Sequence, residues 1–333
     1  MKLPDPKKRI TMKDVAHAAG VSTQTVSRVI NNVSYVSTET RLRVERVINE
    51  LGYRPSTLAR SLSQQRSYTL GVVVFGLVHI GPALTLNGIA DAAEKQDYML
   101  LMKELDDHYD NSSVKNVIDS LISRQVDGII WAAPEIGDSH SWIKDYLDGI
   151  PVPIIFLAME PRKNVPSVTT NNYQGAVLAV RHLLEIERKK IAHLSGPLNW
   201  WEATERKRGW TDTLLNTGLD VSDQYWTEGD WSAKSGEIAF IQLLEKYPEM
   251  DAIFVANDQM ALSVLQQAHL RGISIPNDLS VIGFDNIGEA EYFYPALTTI
   301  EQDFQLLGET AVSVLVEMID AQQKNITVQS KIE

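Results

Sequence analysis

Seven short apolar runs recur from residue 69 onward, at 69–75, 98–102, 127–132 and 152–157, then at 190–194, 251–256 and 279–284. The first, Thr69 to Phe75, is nearly continuous and rich in valine, as a strand buried on both faces must be. Stretches of ten or more residues with helical patterning lie between most of the runs. Strand–helix alternation of this kind builds parallel sheets covered by helices. The interval at 158–173 divides the runs into two groups, so two α/β halves are expected. Two such halves face each other across a cleft, and ligands bind outside the carboxyl ends of the strands. Those ends carry aromatic, carboxamide and carboxylate side chains, the chemistry of a sugar site: a ring packs on the apolar face of a pyranose while polar groups satisfy its hydroxyls.

The first 66 residues follow a different rule. Val15, Ala16, Ala18 and Ala19 suit a short helix, and Gly20 supplies a left-handed turn. Ser22 is a good N-cap for a second helix, on which Val26, Val29 and Ile30 make an inward stripe. Thr23, Gln24, Ser27 and Arg28 then fall on the polar side. A third helix starts after Ser37, draws its apolar positions from Leu42, Val44, Val47, Ile48 and Leu51, and ends at Gly52. This is a helix–turn–helix with a polar recognition helix. The stretch from Tyr53 to Arg66 is short and polar, with Pro55 suited to a first helical turn. It is either a plain linker or a hinge that folds only when DNA and a partner supply contacts.

Charge separates the same two regions. The net charge of the whole chain is −12, which by itself argues against nucleic acid. Residues 1–66 nevertheless hold 12 basic and 5 acidic side chains, while the remainder holds 19 basic and 38 acidic. A small basic block can carry phosphate affinity while the rest repels it. With that charge, Gln24 can read adenine, Arg28 guanine, and a Thr23 methyl the thymine methyl.

Catalysis finds little support. There is no cysteine, so thiol nucleophiles, disulfides and cysteine metal sites are excluded. No strand is followed by GxGxxG, no Walker loop or HExxH occurs, and the seven histidines lack metal-ligand spacing. No enzyme, cofactor or metal is expected. The first residues lack an apolar signal core and no apolar run reaches membrane length, so a cytoplasmic protein with no membrane partner is expected.

The run Thr11-Met-Lys-Asp-Val-Ala-His-Ala-Ala-Gly-Val-Ser-Thr-Gln-Thr-Val-Ser-Arg-Val-Ile-Asn31 resembles the DNA-reading motif of the LacI/GalR family of transcription regulators. Gly52-Tyr-Arg-Pro-Ser-Thr-Leu-Ala-Arg-Ser-Leu62 looks like that family's hinge helix. Glu228-Gly-Asp-Trp-Ser-Ala-Lys-Ser-Gly236, Val255-Ala-Asn-Asp-Gln-Met-Ala-Leu262, Val281-Ile-Gly-Phe-Asp285 and Leu297-Thr-Thr-Ile-Glu-Gln-Asp-Phe304 resemble its effector domain, closest to the lactose-operon repressor branch. The resemblance implies an all-α helix–turn–helix domain over 1–54, a hinge helix and linker over 55–66, and a periplasmic-binding-protein-like α/β domain over 67–333. Its two parallel-sheet subdomains would be joined by crossovers near 158–172 and 290–302.

The resemblance also assigns roles. Thr23, Gln24 and Arg28 match base-reading positions, with Ser27 beside them, and Leu62 matches a residue that wedges into the minor groove at the central base step. Arg206, Trp231, Asn257, Asp285 and Phe304 match effector-contacting positions, and Trp200 and Glu202 are secondary candidates. Two departures stand out: Ala158 follows Phe156 and Leu157 where the branch has an aspartate, and His79 replaces an apolar residue. The chain stops at Glu333 without a leucine-rich tail, so a homodimer is expected, at work on operator DNA at the nucleoid. The implied function is repression of a carbohydrate-utilisation operon, relieved by a sugar inducer such as a galactoside or related saccharide. A ligand- or phosphoprotein-activated co-repressor or regulator of the same fold is the alternative, and a sugar-binding transport protein a more distant one.

Overall fold

The computed structural model describes residues 10–30, 35–53, 66–105, 111–136, 138–139 and 141–324. Leu62 and the hinge at 55–65 lie outside the described residues. The chain divides between Ser67 and Tyr68 into two compact units.

The first unit is three helices: α1 (Met12–Ala19), α2 (Thr23–Ile30) and α3 (Thr38–Leu51). Thr11 caps α1 through a capping box with Asp14, and Gly20 ends it at φ 64°. The Ser22 hydroxyl accepts from the Thr25 amide at 3.1 Å, which starts α2 directly after the turn. Val15, Ala16, Ala19, Val26, Val29, Val44 and Tyr53 close one small core. Leu42 departs from the expectation: it is 57% exposed, because Val44 alone of its neighbours on α3 faces the other two helices fully.

The second unit contains two five-stranded sheets, both wholly parallel. Strands β1 (Thr69–Val74), β2 (Met99–Glu104), β3 (Gly128–Ala132), β4 (Ile154–Leu157) and β5 (Ser167–Val168) order as β2-β1-β3-β4-β5. Strands β6 (Ile191–Ser195), β7 (Trp226–Glu228), β8 (Ala252–Val255), β9 (Ser280–Asp285) and β10 (Thr298–Glu301) order as β10-β9-β8-β6-β7. The seven apolar runs all became strands. The three strands without such a run, β5, β7 and β10, lie at sheet edges, where one side is uncovered and a continuous apolar stretch is not required.

Helices cover both faces of each sheet. On one face of the first lie α4 (Ile80–Lys95) and, on the other, α5 (Asn111–Ile122), near the short α6 (Ile143–Tyr146). The second is sandwiched between α7 (Asn172–Glu185) with α8 (Trp201–Asn216) and α9 (Ala233–Lys246) with α10 (Asp258–Leu270). The last helix, α11 (Phe304–Gln323), returns to the first half, where Leu315 and Ile319 share a core with Ile89 and Val72 of α4 and β1. The chain therefore passes between the halves twice among the described residues, just after β5 and just after β10. These two passages lie side by side, since the Thr170 hydroxyl donates to Gln302 Oε1 at 2.7 Å.

Candidate functional site

Both sheets point their carboxyl ends at one cavity, which encloses about 790 Å³, its mouth included. His79 after β1, Ala132 at the end of β3 with Pro134 beyond it, and Leu157 at the end of β4 with Ala158 beyond it line it from the first half. Asn257 after β8, Asp285 at the end of β9, and Glu202 and Arg206 on the first turns of α8 line it from the second. Trp231 and Phe304 also line it, so all five effector-site residues expected from the sequence stand around one space.

Arg206 is the best-held of them. It is 5% exposed and packs its guanidinium 4.0 Å from the Phe284 ring centre and 5.4 Å from that of Trp231. Its Nε donates to Asn172 Oδ1 at 2.8 Å, and its Nη1 donates to the Ala256 carbonyl and lies 3.7 Å from Asp285 Oδ1. Burial works against the arginine's charge, and Asp285, Glu202 and Asp258 counter it in that order. Asp285 is pushed up to about 7 by burial, although Arg206 pulls the other way; Asp258 raises it further and the Gln302 amide lowers it. Gln302 Nε2 donates to Asp285 Oδ1 at 2.7 Å.

The contacts close a ring. From Arg206 they run to Asn172, through Asn172 Nδ2 to Thr170 Oγ1 at 3.2 Å, on to Gln302, and back through Asp285. Thr170 and Gln302 sit on the two passages between the halves, so the groups facing the cavity are tied to both passages. Asn172, Thr170 and Gln302 escaped the sequence analysis. Thr170 and Gln302 lie in irregular stretches and Asn172 opens α7, and no spacing marks any of them.

The aromatic walls have their own cause. Trp231 adopts φ 74°, and Asn257 Nδ2 donates to its carbonyl at 2.9 Å, which fixes that backbone. Its ring lies over Gly196, where an added Cβ would fall 2.2 Å from the indole. Trp200 stands edge-on to it at 5.9 Å and reaches across to Phe75 of the first half, also at 5.9 Å. Backbone contacts pin the same corner: the Trp201 amide donates to the Glu135 carbonyl at 3.1 Å, and Ile136 bridges Trp200. Asn257 has a second duty, because its Oδ1 caps α10 by accepting from the Met260 amide at 3.0 Å. Its carboxamide therefore offers a ligand fewer free positions than the sequence suggests.

In the first unit, α2 buries Val26 and Val29 and exposes Thr23, Gln24 and Arg28, with Ser27 half-buried. Arg41 Nη1 donates to the Val29 carbonyl at 3.4 Å and holds the end of α2 against α3.

Residues 11–56 match the family described as bacterial regulatory proteins, lacI family, and residues 180–332 match the periplasmic binding protein-like domain. Catabolite control protein A of Priestia megaterium is 35% identical over 316 residues, covering 93% of each chain. This chain belongs to the lacI family. It is a DNA-binding transcriptional repressor of that family and not an enzyme. The lactose operon repressor of Escherichia coli (strain K12) is 33% identical over 95% of this chain and 86% of its own length. Among solved structures, the lac repressor dimer bound to operator and the anti-inducer ONPF aligns with a TM-score of 0.84 at 33% identity, over 95% of this chain and 94% of that one. The regulator CelR in complex with cellobiose aligns at 0.67 with 28% identity over 94% of both chains. Like these lacI-family relatives, the chain pairs a helix–turn–helix with a two-sheet ligand-binding fold. Among the described residues no helix is long and apolar enough to cross a membrane, and no cluster of three potential metal ligands occurs.

Proposed function

We propose that this lacI-family repressor controls a carbohydrate-utilisation operon and leaves its operator when a saccharide enters the cleft. The observation that carries the reading is the pairing of Arg206 with Asp285 at the back of a cavity walled by Trp200, Trp231 and Phe304. Charged hydrogen-bonding groups beside aromatic faces suit a polyhydroxylated ring. Asp285 accepts from sugar hydroxyls, Arg206 and Asn257 donate to them, and Trp231 and Phe304 pack on the ring.

On the DNA side, a homodimer places two α2 helices in successive major grooves, with Thr23, Gln24, Ser27 and Arg28 toward base edges and Leu62 at the central step. The names of the relatives favour a dimer, an operator and a saccharide: one is a lac repressor dimer on operator, another a cellobiose complex. Ligand and operator must then disfavour each other by one coupling free energy, commonly about 1–3 kcal/mol. Thermal-shift titration of the full chain with glucose, galactose, lactose and cellobiose tests the sugar half, because a ligand that binds only the folded state raises Tm. If none of the four raises Tm, the sugar assignment fails.

A further inference from the structure

Two polar atoms in the cleft are buried without a hydrogen-bond partner, Glu202 Oε2 and Trp231 Nε1. One is an acceptor and the other a donor, and both residues line the same cavity. Unpaired buried polar atoms are rare in folded proteins because each has lost water and gained nothing. Several other polar atoms of the cleft are already engaged with protein. Arg206 is held by Asn172, the Ala256 carbonyl and Asp285, and Asn257 Oδ1 caps a helix. On Asp285, both the Gln302 and the Arg206 contacts fall on Oδ1. The two orphaned atoms thus describe what the protein itself does not supply.

Charge narrows the answer. Glu202, Asp285 and Arg206 line the cavity with His79, and Asp258 acts on the Arg206–Asp285 pair from alongside. Arg206 is the lining arginine and is already shared with Asp285. A ligand anion placed here would meet two carboxyl groups before it met an uncommitted cation.

We propose that Glu202 is a specificity-determining residue of this cleft. Its Oε2 accepts a hydrogen bond from a ligand hydroxyl, Trp231 Nε1 donates to a ring or glycosidic oxygen, and Glu202 with Asp285 excludes saccharides that carry an anion, such as uronates and sugar phosphates. The inference rests on the reading of the cleft as a sugar site. Burial, opposed by the Glu202 amide and Arg206 and reinforced by Glu135 and Asp285, pushes Glu202 up to about 7. A carboxyl so placed exchanges hydrogen bonds with hydroxyls in either protonation state and repels an anion once it is ionised, so the exclusion is read at about pH 8.

The test is calorimetric titration of the full chain with matched pairs, glucose against glucuronate and galactose against galacturonate, with lactose and cellobiose added. Wild type, Glu202→Gln and Glu202→Ala are compared, and unliganded melting curves confirm that each variant is folded. The expected result is a neutral saccharide that binds wild type while its uronate does not. Glu202→Ala then weakens neutral binding about tenfold or more, because a hydroxyl loses its buried partner. Glu202→Gln narrows the neutral-to-uronate ratio by a similar factor. Equal affinity of a neutral saccharide for all three proteins overturns the role of Glu202 and leaves the sugar site standing. So does a uronate that binds wild type as tightly as its neutral partner. Absence of binding by every saccharide overturns both this inference and the reading on which it rests.

Discussion

Asp285 Oδ1 and Arg206 Nη1 lie 3.7 Å apart, with side-chain exposures of 12% and 6%. The two come from different elements, the end of β9 and the second turn of α8, and sequence separates them widely. Their pairing places an anion and a cation side by side at the mouth of the second sheet, with Gln302 and Asn172 holding each from behind.

Replacing Asp285 with Asn keeps the shape and removes the anion. Arg206 is then left buried with its carbonyl and carboxamide partners alone. Burial raises Asp285 to about 7, so its ionisation works against the folded state, and the stability of the variant minus that of wild type should rise from about pH 4 to about pH 7. Urea titration across that range measures this. The same variant should lose at least tenfold in saccharide affinity.

Gly196→Ala tests the aromatic wall. An added Cβ at 2.2 Å from the Trp231 ring cannot be accommodated without moving the indole. Overpacking of this kind costs about 1–3 kcal/mol. A lower Tm, a shift in tryptophan emission and weaker saccharide binding should appear together in the variant. A fully native emission spectrum with unchanged binding would show that Trp231 does not depend on that contact.

The pH dependence of stability follows from Glu202, which burial raises from its ordinary carboxyl range to about 7. Between those two values the folded protein binds more protons here than the unfolded chain does. Stability must therefore fall as pH rises through that window and level off above it. Asp285 acts in the same direction, and the buried neutral His193, pulled down to about 3 by burial, acts in the opposite one below its ordinary value. The difference between wild type and Glu202→Gln isolates the glutamate. Stability of the variant minus that of wild type should grow from about pH 4.5 to about pH 7 and stay constant beyond.

Much of this arrangement was legible in the sequence, and the reasons differ by element. Central strands such as β1 and β8 announce themselves because burial on both faces demands unbroken apolar runs. Edge strands β7 and β10 do not. The Gly20 turn and the Ser22 and Ser37 caps were readable because each solves a local backbone problem with a residue type suited to it. Arg206, Trp231, Asn257, Asp285 and Phe304 were found by family resemblance, and they do line one cavity. The supporting ring through Asn172, Thr170 and Gln302 was not readable, because it depends on two chain passages meeting in space. The double use of Asn257 as cap and as clamp on Trp231 likewise needs three dimensions to be seen.

On the DNA side, Arg28 is exposed on α2 while Val26 and Val29 anchor the helix. Arg28→Ala should relax sequence preference at one base pair by about 1–3 kcal/mol, leaving other positions read as before. Binding selection from a randomised palindrome, compared between variant and wild type, reports it. Uniform weakening across all sequences would instead make Arg28 a phosphate contact.

The central claim is that saccharide binding in the Arg206–Asp285 cleft opposes operator binding. It is tested most directly by fluorescence anisotropy of the full chain on an operator obtained by such a selection, titrated with neutral saccharides. The expected result is release of DNA by at least one saccharide, with operator affinity falling about 5- to 150-fold at saturation and the response lost in Asp285→Asn. Saccharides that bind the protein yet leave operator affinity unchanged, or that tighten it, would contradict the account.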